Sequence, residues 1–218
     1  GMELRRTGRS QKNLYVVPNN IVGQWERIFY AMYPQAKLLI VEPRSFAPAR
    51  REAVLKRIRD EEFDGVIMAY SCFEQIPLSR SYYEEELEAR KKELEDFADK
   101  SKVTKTRQAA LEKVKEALRE LISAVEESYN GVYFDELGVS RLFLDEAHNY
   151  KNLPIQTKIT KVLGVNKTGS KKCTDMLGKV QTVQRQNGGG RGGGDGGDGR
   201  GGHGLLRAAS GSSPKYIA

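Results

Sequence analysis

Short apolar runs alternate with amphipathic stretches over residues 1–80. Three runs rich in β-branched and aliphatic residues, each closed by a turn-forming segment, predict strands at 14–17, 37–41 and 65–70. Apolar residues at helical spacing predict a helix over 21–32, and a basic stretch predicts another over 48–60. Strands that alternate with helices favour a parallel α/β sheet.

The pattern changes over residues 81–128, which are dense in Glu, Lys, Arg, Leu and Ala. The apolar residues here step by three and four positions, at Leu111, Val114, Leu118, Leu121 and Val125. We therefore predict an inserted pair of helices that fold back as a hairpin, and we assign it no chemistry.

The α/β pattern resumes over residues 129–187, where 134–138 is predicted as a loop, 141–144 as a fourth strand and about 170–186 as a helix. Residues 188–218 are rich in glycine and small polar residues and cannot bury enough apolar surface to fold. We predict a disordered Gly-rich tail. Its acidic residues weigh against an arginine–glycine nucleic-acid tail.

Charge and cysteine content narrow the class of protein. The 218 residues carry a net charge of +7, which favours a polyanionic partner but leaves a well-solvated basic surface equally open. The two cysteines, Cys72 and Cys173, lack metal-type spacing and predict no disulfide framework. No apolar run approaches the roughly 20 residues of a membrane span, and no signal peptide is recognisable. We expect a cytoplasmic protein with no membrane partner.

The strongest chemical signal is an apolar strand that ends in two adjacent acids, Asp145 and Glu146. Such a strand end faces the crevice in which open α/β sheets bind ligands. One carboxylate can hold Mg²⁺ through water, and its neighbour can orient or deprotonate an attacking water. A strand followed by an acidic helix N-terminus has the same letters, so this alternative stays open.

Three stretches, in this order, resemble motifs of the Swi/Snf-type branch of the superfamily-two DEAH helicases. Residues 15–25, YVVPNNIVGQW, resemble the pattern VVPxxLVxQW, and residues 66–74, VIMAYSCFE, resemble VIxxHSxFE with Tyr70 where His is usual. Residues 142–153, LFLDEAHNYKNL, resemble LFVDEAHxxKNL. The resemblance covers about residues 2–188 and is closest to the helicase-like proteins of phages and mobile elements that are often fused to DNA methylase regions.

The resemblance implies a partial RecA-like lobe that uses Mg²⁺ and ATP in the intact parent and has DNA as its partner. It implies that Asp145 coordinates Mg-ATP through water, that Glu146 positions the hydrolytic water and that His148 couples the nucleotide site to the DNA-facing motifs. The residues that it places along or near the nucleic-acid backbone are Pro18, Asn19, Asn20 and Ser71, and Lys151 is a further candidate that is equally well explained as a surface lysine.

Two departures from the family pattern matter. No G-x-x-x-x-G-K-S/T phosphate loop occurs, and a Gly-rich stretch stands where motif III is expected. We therefore expect a fragment, cut directly after the phosphate loop and lacking motif III and the second lobe, that does not hydrolyse ATP alone. Without its neighbouring strands, residues 141–144 should have an open edge that favours a homo-oligomer.

The sequence bears on two alternatives to a helicase fragment. A non-enzymatic nucleic-acid-binding or scaffold remnant of a helicase lobe stays open, so whether the chain is itself an enzyme is undecided. A methyltransferase is disfavoured, because no Gly-rich cofactor loop follows a strand and no Asn/Asp-Pro-Pro-Tyr/Phe motif occurs.

Overall fold

A five-stranded sheet forms the centre of the computed structural model, which describes residues 1–86, 131–147, 171–188 and 216–217 and scattered positions from 88 to 129. The strands lie in the order β2-β3-β1-β4-β5. The first four run parallel, and β5 pairs antiparallel with β4. Their bounds are β1 (Asn13–Val17), β2 (Leu38–Val41), β3 (Gly65–Ala69), β4 (Arg141–Leu144) and β5 (Tyr216–Ile217).

Helices connect and flank the strands, because parallel neighbours need a long crossover connection, usually a helix. They are α1 (Met2–Arg6), α2 (Val22–Met32), α3 (Pro48–Asp60), α4 (Tyr70–Phe73) and α5 (Lys171–Gly188), with 3₁₀ turns at Asn19–Ile21 and Phe134–Leu137. Proline suits the start of α3, because the first N–H groups of a helix have no partner within it. Gly138 ends the second 3₁₀ turn with a φ of 68°, a conformation that glycine adopts without strain.

The core lies around the two strands at the middle of the sheet. All five residues of β1 and all five of β3 are buried, as expected for parallel strands that are covered on both faces. β2 and β4 bury alternate residues. The ring of Tyr15 stacks on Phe143 with centroids 4.8 Å apart and meets Phe29 edge-on at 5.6 Å, so aromatic contacts join β1, β4 and α2.

The predicted fold class, a partial RecA-like lobe with a parallel sheet flanked by helices, is confirmed. Residues 80–86 are helical, whereas the greater part of the predicted hairpin lies outside the described residues. The segment 134–138, predicted as a loop, contains a 3₁₀ turn. In the part of the chain that is described, no helix combines the length and the apolar character that crossing a bilayer requires.

The expected open edge of β4 needs a correction. β5 pairs with it, so that Leu142 lies opposite Ile217 and Phe143 opposite Tyr216. Most of the tail is small and polar, but Tyr216 and Ile217 near its end are residue types that favour strands. This pairing covers part of the edge on which the expected self-association depended.

Candidate functional site

Three parallel strands end together at one side of the sheet. The register places Val17 of β1 beside Ala69 of β3, and Val16 beside Leu144 of β4. The residues that follow these strands therefore share one edge, which we call the carboxyl edge. Ligands of open α/β sheets bind in the crevice at this edge.

Asp145 follows β4 directly and is held at three points. Its backbone N–H donates to the carbonyl oxygen of Val16 at 3.0 Å, which extends the pairing of β4 with β1 by one residue. Its carbonyl oxygen accepts a hydrogen bond from the hydroxyl of Tyr70. Its carboxylate oxygen Oδ2 accepts a hydrogen bond from Nε1 of Trp25 on α2 at 3.2 Å. The carboxylate is thus half-buried in a fixed position.

Glu146 is exposed and has a φ of 56°, in the left-handed region. It is the one non-glycine residue with positive φ among those described. This conformation costs a residue other than glycine about 1–2 kcal/mol, so the surrounding contacts must hold it in place. Residues held in this way are concentrated at functional sites. We call Asp145 and Glu146 the acidic turn.

The Tyr70 hydroxyl donates its hydrogen bond to this turn in the protonated form. Burial raises the pKa of Tyr70 well above its ordinary value, and the nearby charges of Asp145, Glu146 and Glu74 raise it further. The phenol therefore stays protonated at neutral pH. Lys172 of α5 forms an ion pair with Glu74 at 2.6 Å and lies 5.9 Å from the centre of the Tyr70 ring.

The loop after β1 contacts the segment after β3. The side-chain oxygen Oδ1 of Asn19 accepts a hydrogen bond from the backbone N–H of Ser71 at 3.2 Å. The Ser71 hydroxyl oxygen is buried and has no hydrogen-bond partner among the described residues. Burial raises the pKa of the adjacent Cys72 thiol, and the Ser71 side chain opposes that rise. Asn19 and Asn20 are exposed, and no side chain caps the start of α2. This part of the carboxyl edge therefore presents polar groups to solvent.

A buried lysine fastens α5 to α4. The amine of Lys179 is fully buried and donates to the carbonyl oxygen of Phe73 at 2.9 Å and to Oδ2 of Asp175 at 2.6 Å. Burial lowers the pKa of Lys179, and the Asp175 carboxylate opposes that shift. Because α4 begins at Tyr70, this contact also restrains the residues that reach the acidic turn.

The acidic turn suits a hydrated Mg²⁺ ion. The Oδ1 oxygen of Asp145 accepts no hydrogen bond from the described part of the chain, and Glu146 is exposed beside it. Mg²⁺ binds proteins through one or two carboxylates and keeps several waters. No group of three or more His, Cys, Asp or Glu side chains among the described residues could hold a metal ion, so a cation here would keep most of its water.

The structure places six of the eight residues predicted for the site at the carboxyl edge. They are Pro18, Asn19, Asn20, Ser71, Asp145 and Glu146, whereas His148 and Lys151 lie outside the described residues. The chemical roles of all eight stay predictions.

Sequence reasoning missed three side chains that shape this edge. Trp25 and Tyr70 lie within the family-like motifs, but no spacing rule connects them to Asp145. Lys179 did leave a signal. It lies between Met176 and Val183 on the buried face of α5, where a lysine requires a buried partner.

Fold and site together define an α/β lobe of RecA-like type with an acidic turn at its carboxyl edge. A family model described as "probable helicase domain" matches residues 1–193, and the chain belongs to this family. No curated protein and no solved structure matches the chain. The family supports a helicase-related function, and with it a nucleic acid as partner.

Proposed function

We propose that the chain is part of the first motor lobe of an ATP-driven DNA helicase or translocase of the Swi/Snf-like, DEAH kind. One observation carries the proposal: the acidic turn leaves β4 at the same edge as the Asn19 and Ser71 segments. Nucleotide chemistry and nucleic-acid contact would then meet on adjacent strands. The link of the parent protein to DNA methylase regions is part of this proposal and rests on the sequence motifs alone.

Each residue of the acidic turn has a distinct part. Asp145 would hold hydrated Mg²⁺ with its carboxylate, of which Oδ2 also accepts the hydrogen bond from Trp25. Glu146 is exposed and orients the water that attacks the γ-phosphate. Bound Mg²⁺ supplies neutralisation of the charge that develops on the phosphates. His148 follows this turn in sequence and is proposed to couple it to the DNA-facing segments.

The nucleic acid is proposed to lie along the loop after β1 and the start of α4. Pro18, Asn19 and Asn20 precede the start of α2, which no side chain caps, and the N-terminus of a helix suits a phosphate. Ser71 lies beside them through its contact with Asn19, and Lys151 is a further candidate. The net charge of +7 favours such a polyanionic partner.

Hydrolysis of ATP by these 218 residues alone is not expected. They contain no G-x-x-x-x-G-K-S/T segment, the loop whose backbone and lysine hold the β- and γ-phosphates. Positioning and charge stabilisation supply most of the catalysis in phosphoryl transfer. DNA-stimulated turnover that is abolished by Glu146→Gln would contradict this expectation.

A non-enzymatic function is the second candidate, favoured by the same missing phosphate loop. In this case the lobe is a nucleic-acid-binding scaffold and the acidic turn binds no cation. The two candidates differ in a single measurable property, the binding of a divalent cation at Asp145.

Intrinsic tryptophan fluorescence can report cation binding, because Trp25 is the single tryptophan of the sequence and contacts Asp145. We expect Mn²⁺ or Mg²⁺ to change Trp25 fluorescence in a saturable way, and Asp145→Asn to abolish the change. Glu42→Gln is the matched control, because Glu42 follows β2 at the same edge. An equal response in wild type and Asp145→Asn would refute cation binding by this residue.

DNA binding is tested separately with a fluorescein-labelled oligonucleotide. Replacing Asn19 and Asn20 together by Ala should weaken binding, whereas Gln35→Ala, in the exposed segment that precedes β2, should not. The affinity of wild type for duplex DNA should fall with salt at a log–log slope of about −0.9 per neutralised phosphate. A slope near zero would argue against phosphate contacts.

A further inference from the structure

We propose that Tyr70 is a positioning residue that holds the acidic turn and joins it to the Asn19–Ser71 contact. The coupling of the acidic turn, as a cation site, to the Asn19–Ser71 contact, as a nucleic-acid site, rests on the proposed function. The hydrogen bond by which Tyr70 holds the acidic turn is a property of the protein without any ligand. The Tyr70 hydroxyl donates to the backbone carbonyl of Asp145, so it acts on the position of the acidic turn.

The Tyr70 side chain connects strands that are not neighbours. Tyr70 follows β3 and Asp145 follows β4, and β1 lies between these strands in the sheet. The side chain therefore crosses the end of β1 to reach Asp145. The ring is buried, so the hydroxyl has few other positions available.

The hydrogen bond from Tyr70 fixes one particular peptide group. The Asp145 carbonyl belongs to the peptide that precedes Glu146, the residue with left-handed φ. The other side of Asp145 is already fixed by its N–H bond to Val16. With both peptide groups restrained, the Asp145 side chain keeps the direction that brings Oδ2 to Trp25.

The same segment also reaches the loop after β1. Ser71 is the next residue after Tyr70, and its N–H donates to the side chain of Asn19. Asn19 stands three residues before the start of α2, the helix that carries Trp25. The contacts therefore form a closed circuit through Asn19, Ser71, Tyr70, Asp145 and Trp25. A ligand that moves Asn19 or Ser71 displaces the peptide that orients the acidic turn.

Tyr70→Phe removes the hydroxyl and keeps the ring that packs near Lys172. Tyr129→Phe is the matched control, because the Tyr129 hydroxyl also donates to a backbone carbonyl, that of Val132, at 2.7 Å. Both variants lose one tyrosine-to-carbonyl hydrogen bond, and Tyr129 does not contact the acidic turn.

The readout is the indole N–H resonance of ¹⁵N-labelled Trp25, which reports its hydrogen bond to Asp145 without any ligand. Asp145→Asn defines the resonance position when the charged acceptor is lost. We expect Tyr70→Phe to move the resonance at least half of that distance and to speed its exchange with water, while Tyr129→Phe leaves both unchanged. A Tyr70→Phe resonance within one linewidth of wild type would overturn the proposal, whatever the change in thermal stability.

The coupling between the acidic turn and the Asn19–Ser71 contact is measured as the effect of an oligonucleotide on the affinity for a cation. The affinity for Mn²⁺ is determined with and without a single-stranded oligonucleotide, in wild type and in Tyr70→Phe. We expect the oligonucleotide to change the wild-type affinity by about fivefold or more, and Tyr70→Phe to reduce that ratio towards one. If the oligonucleotide leaves the Mn²⁺ affinity of wild type unchanged, or changes it equally in Tyr70→Phe, the proposed coupling through Tyr70 is overturned. If wild type binds neither ligand, the proposed function fails, while the indole resonance still decides whether Tyr70 holds the turn.

Discussion

Lys179→Met tests whether the buried lysine is the main fastening between α5 and α4. Methionine has nearly the same length and remains able to pack on the Phe73 ring, whose centre lies 4.4 Å from the lysine amine. The substitution therefore removes the charge and its hydrogen bonds with little change in volume. The carbonyl of Phe73 and the carboxylate of Asp175 then lose their common donor.

The expected cost follows from these two bonds. A hydrogen bond that involves a charged group contributes about 1.5–3 kcal/mol, so the loss of two gives about 3–6 kcal/mol. The Asp175 side chain is 29% exposed and can recover part of its hydration. This favours the lower end, about 3 kcal/mol of unfolding free energy. With a urea m-value of about 2 kcal/mol/M, the unfolding midpoint should fall by about 1.5 M.

The matched control is Lys172→Met on the same helix. Lys172 pairs with Glu74, but the two side chains are 43% and 34% exposed. A pair as exposed as this contributes about 0–1 kcal/mol. Adding Asp175→Leu to Lys179→Met should recover most of the lost stability, because it removes the unpaired carboxylate. Equal midpoints for the two lysine variants would refute the argument that burial of Lys179 makes its contacts important.

Two further predictions concern packing and a thiol. Gly178→Ala should destabilise the protein by about 1–2 kcal/mol, because its Cβ would meet Cδ1 of the buried Leu78 at 2.7 Å. The control is Gly23→Ala in α2, whose Cβ would meet nothing within 4 Å and which should stabilise the protein by about 0.5 kcal/mol. A shift of the melting temperature in the same direction in both variants would contradict the predicted clash. Burial raises the pKa of Cys72 from 9.0 to about 11, so in a Cys173→Ala background Cys72 should resist thiol reagents at pH 8, and rapid labelling of folded protein would refute its burial. Since this folded-state pKa exceeds the unfolded one, the contribution of Cys72 to stability should be complete below pH 9 and be lost between pH 9 and 11, a loss that Cys72→Ala should remove.

The regular elements were predictable because each carries its own local signal. Residues 14–17 of β1 and all of β3 form continuous buried runs without a charged or amide side chain, and the strand at 141–144 has the predicted bounds. The 3₁₀ turn at Phe134–Leu137 was missed, since a short turn leaves no periodicity. The pairing of β5 was missed for another reason. A run of two residues is too short to predict a strand, even where both residue types favour one, and the partner strand is more than 70 residues away in the chain.

The candidate site divides in the same way. The position of the two acids at the carboxyl edge could be predicted, because they directly follow a strand and parallel strands end together. The loop residues were named through the resemblance of their motifs. The contacts of Trp25 and Tyr70 with Asp145 could not be predicted, because they depend on the order of strands in the sheet. No local pattern states that β1 lies between β3 and β4.

The acidic turn depends on residues that are remote from it in sequence. Glu146 holds an unfavourable left-handed conformation, so the turn needs contacts that the local chain does not provide. Those contacts come from α2 through Trp25, from β1 through Val16 and from the segment after β3 through Tyr70. Lys179 of α5 in turn restrains the helix that begins at Tyr70. A destabilised α5 should therefore disturb the Trp25 indole resonance even though no residue of α5 is required to touch the acidic turn.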